Sequence, residues 1–223
     1  MTELAKRKYN IDSIVFFTLT TLTTEDVDVS LADVKKAFGK KSNFTEREQI
    51  SKNMLKAVDS IKQHHVLDEN YLLGLHRMIM AGFNTKTPGK LRNKQVYLYR
   101  QGEQEVDRAE LSYRPPKYGK IKKMLQELFN WYGTNSLNPI EKAALCHYKL
   151  YKIHPFLDGN KRICRLILNK TLLDESFPLL NISLEKRAYF EALIYSVENN
   201  SPKIFVDFVF KQYYRQVREF LSD

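Results

Sequence analysis

The sequence predicts a mostly α-helical fold. Apolar residues recur at spacings of three and four along most of the chain, and helix-start residues stand ahead of several of those runs. Only eight glycines and seven prolines occur in 223 residues, few for a turn-rich all-β protein. At 43% hydrophobic residues the composition is that of an ordinary globular chain with ample material for a core.

Residues 11–22, IDSIVFFTLTTL, are apolar and β-branched, so propensity leaves helix and strand equally open. A short helix is expected from about Ser30, with Leu31, Val34 and Phe38 inward. Thr45-Glu46-Arg47-Glu48 is a capping box, in which the Thr hydroxyl and the Glu carboxylate satisfy backbone N–H groups. The helix behind it buries one stripe through Ile50, Met54, Val58 and Ile61. Asp68 caps the next, which faces inward through Leu72, Leu75, Ile79 and Met80 and ends at Gly82. From 82 to 119 the helical rhythm breaks at Pro88-Gly89 and Pro115-Pro116, and Gln95–Tyr99 reads as a strand of a small hairpin over about 92–112. Helices resume over Lys117–Tyr132 and from Asn138-Pro139, a cap followed by proline in the first turn. Ser183 and Ser201-Pro202 are expected to open two more, the last inward through Phe205, Phe208, Val209 and Tyr213. No repeat or long linker divides the chain, so residues 1–223 are read as one domain.

A net charge of +10 admits nucleic acid, an acidic membrane surface or a phosphate-bearing ligand as partner. The cations are scattered in short clusters such as Lys35–Lys36 and Lys122–Lys123, which a solvated surface explains as well, and nucleic acid ranks last. Cys146 and Cys164 cannot build a disulfide framework, and no Cys/His spacing matches a zinc site. No run approaches the ~20 apolar residues of a membrane span. The start lacks the apolar core of a signal peptide, so a soluble, cytoplasmic location is expected.

The segment Ile153–Arg165, IHPFLDGNKRICR, concentrates chemistry between two apolar helices. Pro155 disfavours helix at His154, so the preceding helix should end there. Asp158-Gly159-Asn160 signals a turn, and a fresh helix N-terminus after it offers free N–H groups to anionic oxygens. Arg162 and Arg165, three apart on that helix, would form a cationic fork. Asp158 is a candidate Mg²⁺ ligand at the mouth of an anion site, and His154 a candidate general base. Each of these residues singly suits a capping or surface role. Their succession is what points to a site.

HPFLDGNKRICR resembles the Fic/Doc family signature, H-P-F-x-D/E-G-N-G/K-R-x-x-R. NPIEKAALCHYKLYKI is similar to the helix leading into that motif, and PGKLRNKQVYL to the segment forming a β-hairpin flap, so the resemblance covers about residues 10–215. It implies a bundle of about eight helices with a small hairpin flap, and AMP transfer from ATP to a Tyr, Ser or Thr hydroxyl of a target protein. His154 matches the base and Asp158 the carboxylate holding Mg²⁺ between the α- and β-phosphates. Gly159 and Asn160 match the anion hole, with Asn160 on the α-phosphate. Arg162 matches the arginine on the β- or γ-phosphate, Arg165 the second one, which reaches the γ-phosphate, and Phe156 a buried anchor. Val96 and Tyr97 would clamp a target backbone by strand addition.

Lys161 departs from the glycine of the best-characterised AMP-transferring members, adding charge beside the nucleotide. A Doc-like phosphate transfer and a catalytically silent nucleotide-sensing module are therefore carried as alternatives. Thr21-Leu22-Thr23-Thr24-Glu25-Asp26 resembles the family's inhibitory helix, S/T-x-x-x-E-G/N, with Asp26 in the last place. The resemblance implies that Glu25, within an inhibitory segment of about 10–29, pairs with Arg165 and blocks a productive ATP pose; a helix end is the plainer reading. The other histidines, His64, His65, His76 and His147, are read as surface or packing residues. Self-association is left open.

Overall fold

The computed structural model describes residues 3–63, 65–83, 87–99 and 111–222, side chains at 3–10, 111 and 220–222 excepted. Among them nine helices run in the order α1 (Glu3–Thr23), α2 (Leu31–Gly39), α3 (Glu46–Ile61), α4 (Glu69–Met80), α5 (Ile121–Thr134), α6 (Pro139–Ile153), α7 (Asn160–Asp174), α8 (Lys186–Glu198) and α9 (Lys203–Ser222). A two-stranded antiparallel sheet, β1 (Leu98–Tyr99) and β2 (Leu111–Tyr113), stands between α4 and α5. None of these helices is long and apolar enough to cross a membrane.

The run 11–22, ambiguous by propensity, is helical, and its buried residues Ile14, Phe17, Thr18, Thr21 and Leu22 follow helical spacing. Packing against α3 decides what propensity could not. The capping box at Thr45 is present in full, and Ser30 with Asp33 makes another. Asp68 accepts from the Tyr71 N–H, and Asn138 from the Ile140 N–H with Pro139 behind it.

Two expectations are corrected. Phe38 is 40% exposed, because the face of α2 that meets the core carries Val34 and Ala37. Ser183 does not cap α8; its side chain is buried three residues short of Lys186, and Glu185 at the cap position turns its carboxylate to Gln212 and Arg215 instead of the helix backbone.

The hairpin is shorter than 92–112. Leu98 pairs with Tyr113 and Tyr99 with Leu111, while residues 100–110 lie outside the described set. Continuing that register would set Val96 opposite Pro115, which has no N–H to give, so Val96 and Tyr97 precede the strand.

At the centre, α7 is buried on all sides from Arg162 to Leu172, its apolar residues interleaved with Arg162, Arg165, Asn169, Lys170 and Thr171, which are buried as well. It packs most extensively on α6, so the loop joining them, residues 154–159, begins and ends in rigid core.

Candidate active site

The loop 154–159 is fixed from within and below. Helix α6 stops at His154, which takes a left-handed conformation, φ +49°. The Asn160 amide closes the loop on itself: Oδ1 accepts from the Phe156 N–H and Nδ2 donates to the Phe156 carbonyl, both at 2.9 Å. Phe156 is buried and stacks on His76 with ring centres 3.7 Å apart. His76 Nδ1 accepts from the Gly89 N–H at 2.8 Å, so Nε2 carries the proton and donates to the Asp158 carbonyl at 3.0 Å. Burial, more than the nearby Arg162, takes the His76 pKa down to about 4. Gly159 has φ +76°, and a Cβ there would lie 2.8 Å from Met80 Sδ. Only glycine allows this close, left-handed entry into α7.

No side chain caps α7, so its first N–H groups face outward with the helix's positive end. Behind them stand two buried guanidiniums. Arg162 Nη2 reaches both Asp158 oxygens at 3.3 Å, while its Nε and Nη1 are buried without a partner. Arg165, fully buried, donates through Nη2 to the Thr21 carbonyl and to Glu25 Oε1, each at 2.9 Å, and its Nε and Nη1 are likewise unpartnered. Lys161 Nζ sits 3.0 Å from Glu25 Oε2 and 4.5 Å from the centre of the Phe190 ring. Burial alone would raise the Glu25 pKa; Arg165 and Lys161 outweigh it and hold the carboxyl below its ordinary value. Burial opposes the charge of Arg165, yet Tyr189 and Glu25 together raise its pKa. The Tyr189 hydroxyl also lies 3.0 Å from His147 Nε2.

His154 lines a cavity of about 840 Å³ together with Glu25, Tyr97, Asp158, Gly159, Asn160 and Lys161. The facing wall is α8, through Arg187, Phe190, Ile194 and Tyr195. His154 is 8% exposed, and its Nδ1 is buried with no hydrogen bond, although the Tyr151 carbonyl is near enough to act on it. That leaves Nε2 as the nitrogen able to serve the cavity. Burial first, then Arg92, lowers its pKa to about 4, with the Tyr151 carbonyl opposing. The ring is neutral near pH 7, as a base must be.

Of the residues singled out from sequence, the cavity gathers Glu25, Tyr97, His154, Asp158, Gly159, Asn160 and Lys161. Arg162 and Arg165 are buried outside its lining, and Val96 is not among the lining residues. Two side chains differ from expectation. Both polar groups of the Asn160 amide are spent on Phe156, leaving its backbone N–H for an anion. Lys161 leans to Glu25 and Phe190 instead of over the loop. His76 and His147 are buried, hydrogen-bonded members of the site's support; His65 is exposed and His64 lies outside the described residues. Arg92 was missed altogether, since nothing in its neighbourhood marks one basic residue among 36.

Among the described residues no three His, Cys, Asp or Glu side chains cluster as a metal cage. Of the carboxylates lining the cavity, Glu25 is tied to Arg165 and Lys161, whereas Asp158 is mostly exposed, accepts from the Gly159 N–H and lies 3.3 Å from Arg162 Nη2. That fits a Mg²⁺ carried in on phosphates, which needs few protein ligands.

The Fic/DOC family model matches residues 66–172. The protein adenylyltransferase fic-1 of Caenorhabditis briggsae is 29% identical over 164 residues, 72% of this chain and 30% of the relative. The protein adenylyltransferase Fic of Drosophila grimshawi is 30% identical over 141 residues, 62% of this chain and 27% of the relative. The chain thus spans less than a third of the length of these curated relatives. A Fic family protein from Desulfovibrio desulfuricans shares the fold with a TM-score of 0.83 at 23% identity, over 99% of this chain and 69% of that one.

Proposed function

Residues 66–172 of this chain are a Fic/DOC family domain, and from that premise we propose that the chain is a protein adenylyltransferase, moving AMP from ATP to a Tyr, Ser or Thr hydroxyl of a protein, with residues 1–223 acting as one unit. The observation that carries this is the convergence, in one cavity, of a neutral His154 and an uncapped α7 N-terminus backed by Arg162 and Arg165.

His154 Nε2 takes the proton of the acceptor hydroxyl. The oxygen attacks the α-phosphorus, a new O–P bond forms, the bond to the bridging oxygen breaks, and pyrophosphate leaves. The first N–H groups of α7 meet the charge that develops on the phosphate oxygens. The unpartnered Nε and Nη1 of Arg162 and Arg165 are donors available to the β- and γ-phosphates. Asp158 is the residue that would hold Mg²⁺, whose charge offsets that of the phosphates when bound. Tyr97, which lines the cavity, and Val96, its neighbour in the chain, would align the target's backbone. Glu25 would act as an inhibitor, by keeping Arg165 from the γ-phosphate.

The test is incubation of the Glu25→Gly variant with Mg²⁺, ATP labelled at the α-phosphorus and a panel of cell proteins. Label should pass to protein, and His154→Ala in the same background should lower the rate by ~10²–10⁴. Transfer from γ-labelled ATP instead, or label from neither, overturns the reading.

A further inference from the structure

We propose that Arg92 is a positioning residue that ties the flap to the catalytic loop, so that one guanidinium sets where a docked hydroxyl lies relative to His154. This rests on the roles given above to His154 and the flap.

Arg92 is 3% exposed, and among the described residues no carboxylate pairs with it. Its donors go to backbone oxygens on three separate segments. Nε donates to the His154 carbonyl at 2.7 Å, Nη1 to the Lys94 carbonyl at 2.9 Å and Nη2 to the Pro116 carbonyl at 2.5 Å. Its own N–H donates to the Pro155 carbonyl at 2.8 Å. Lys94 precedes β1 and Pro116 follows β2, so these bonds hold both stems of the hairpin.

The chain has specific need of such a tie at these points. His154 sits at φ +49°, a conformation that a non-glycine residue keeps only when its surroundings enforce it. Two consecutive bonds from Arg92, to the carbonyls of His154 and Pro155, do so. The ladder between β1 and β2 is short, and Pro115-Pro116 cannot extend it. Without a further brace the stems would be free to swing. Gln95 Nε2 joins the stems to each other through the Pro115 carbonyl at 2.8 Å, but it makes no bond to the loop. Only the planar fork of an arginine spans all three segments; a lysine ammonium is a point donor.

The experiment uses the full chain in the Glu25→Gly background, with Arg92→Lys and Gln95→Ala compared by hydrogen exchange over segments 93–99, 111–117 and 154–159. Label transfer from α-labelled ATP is followed against ATP concentration. Arg92→Lys should raise exchange at least tenfold in all three segments. It should lower kcat by about 10²-fold, the scale of an ångström's misplacement, while KM for ATP stays within about threefold. Gln95→Ala should loosen the two stems alone and leave kcat within about threefold. Continued protection of 154–159 in Arg92→Lys, or an equal kcat loss from Gln95→Ala, overturns the proposal. If the parent variant transfers no label, the adenylyltransferase reading fails and the exchange pattern alone decides the tie. Should Arg92→Lys not fold, native exchange of the unsubstituted chain decides: opening of the three segments as one unit supports the tie, and rates more than tenfold apart refute it.

Discussion

Replacing Glu25 by glycine should destabilise the empty protein, make it more responsive to ATP, and raise label transfer. The Glu25–Arg165 contact is 2.9 Å, with side-chain exposures of 14% and 0%, so solvent screens the pair weakly. Charges about 4 Å apart at an effective dielectric near 20 attract by about 4 kcal/mol. Once the carboxylate is gone, Arg165 keeps the Thr21 carbonyl and lies over the Tyr189 ring but has no anion. Stranding one member of a buried pair costs about 3–5 kcal/mol. At about 2–4 °C per kcal/mol for a chain of this size, the melting temperature should fall by roughly 6–20 °C. A γ-phosphate can take the vacated place. ATP with Mg²⁺ at a hundred times its Kd adds about 2.7 kcal/mol, and it should stabilise Glu25→Gly more than the parent, whose carboxylate competes for the same guanidinium. Thermal melts with and without nucleotide, run beside α-label transfer, read all three effects, with transfer expected to rise at least tenfold. A melting temperature within a degree of the parent's, or equal stabilisation of both proteins by ATP without a rise in transfer, refutes the reasoning.

Lys161→Ala should be a weaker version of the same change. Its side chain is 33% exposed, so the pair with Glu25 is worth at most about 1 kcal/mol, and melting should fall by less than about 4 °C. Transfer should rise a few-fold, and less so in high salt; a larger gain than from Glu25→Gly contradicts the assignment. Acid should destabilise the fold well above the carboxylate range. His76 and His154 have pKa values of about 4 against an ordinary 6.5, so between these limits the unfolded chain binds protons that the folded chain refuses. Their stabilising effect is complete above about pH 6.5 and lost as pH falls toward 4. At 1.36 kcal/mol per pH unit that amounts to about 3 kcal/mol per histidine over the window. His147, buried and also held neutral, adds in the same direction. Urea unfolding at pH 7.5 and pH 5 measures the loss, and equal stability at the two pH values contradicts it.

What could be read from the sequence was local. The caps at Thr45, Asp68 and Asn138 are each a side chain bonding a backbone group two or three residues away, so the sequence alone contains both partners. The loop from His154 to Gly159 is likewise specified within a dozen residues by Pro155, by Gly159 and by the α7 run behind it. What could not be read depends on distant partners. Residues 11–22 are a helix because α3 offers a surface for one face of it. The Arg92 guanidinium bonds a carbonyl 62 positions away, and His76 holds one 82 positions away. Neither leaves a periodic or compositional trace. The Glu25–Arg165 pair spans 140 positions and was legible only through resemblance, since a threonine four residues before a glutamate carries no information about an arginine elsewhere. Asp26 illustrates the same limit in reverse. Its φ of +56° explains why glycine or asparagine suits that place, a constraint visible only once the backbone is known.

The arrangement around Arg165 would link folding to the proposed activity through one requirement. A guanidinium with no exposed surface is costly to keep charged unless an anion and enough acceptors surround it, and this one has two buried N–H-bearing nitrogens still unsatisfied. In the empty protein the anion is Glu25, delivered from the end of α1 and steadied on its other oxygen by Lys161. The carboxylate cannot reach Nε and Nη1 as well, so the pocket stays short of acceptors, and a phosphate with three oxygens is better matched to that deficit than the glutamate is. Under the proposed function, the group carried at the end of α1 is the one that nucleotide would have to outcompete. Lys161 would then favour the glutamate, and a chain with glycine in its place would be expected to yield Arg165 more readily to ATP. The departure at 161 is then expected to affect how readily Arg165 becomes free for a phosphate, with no effect on which atoms attack and leave.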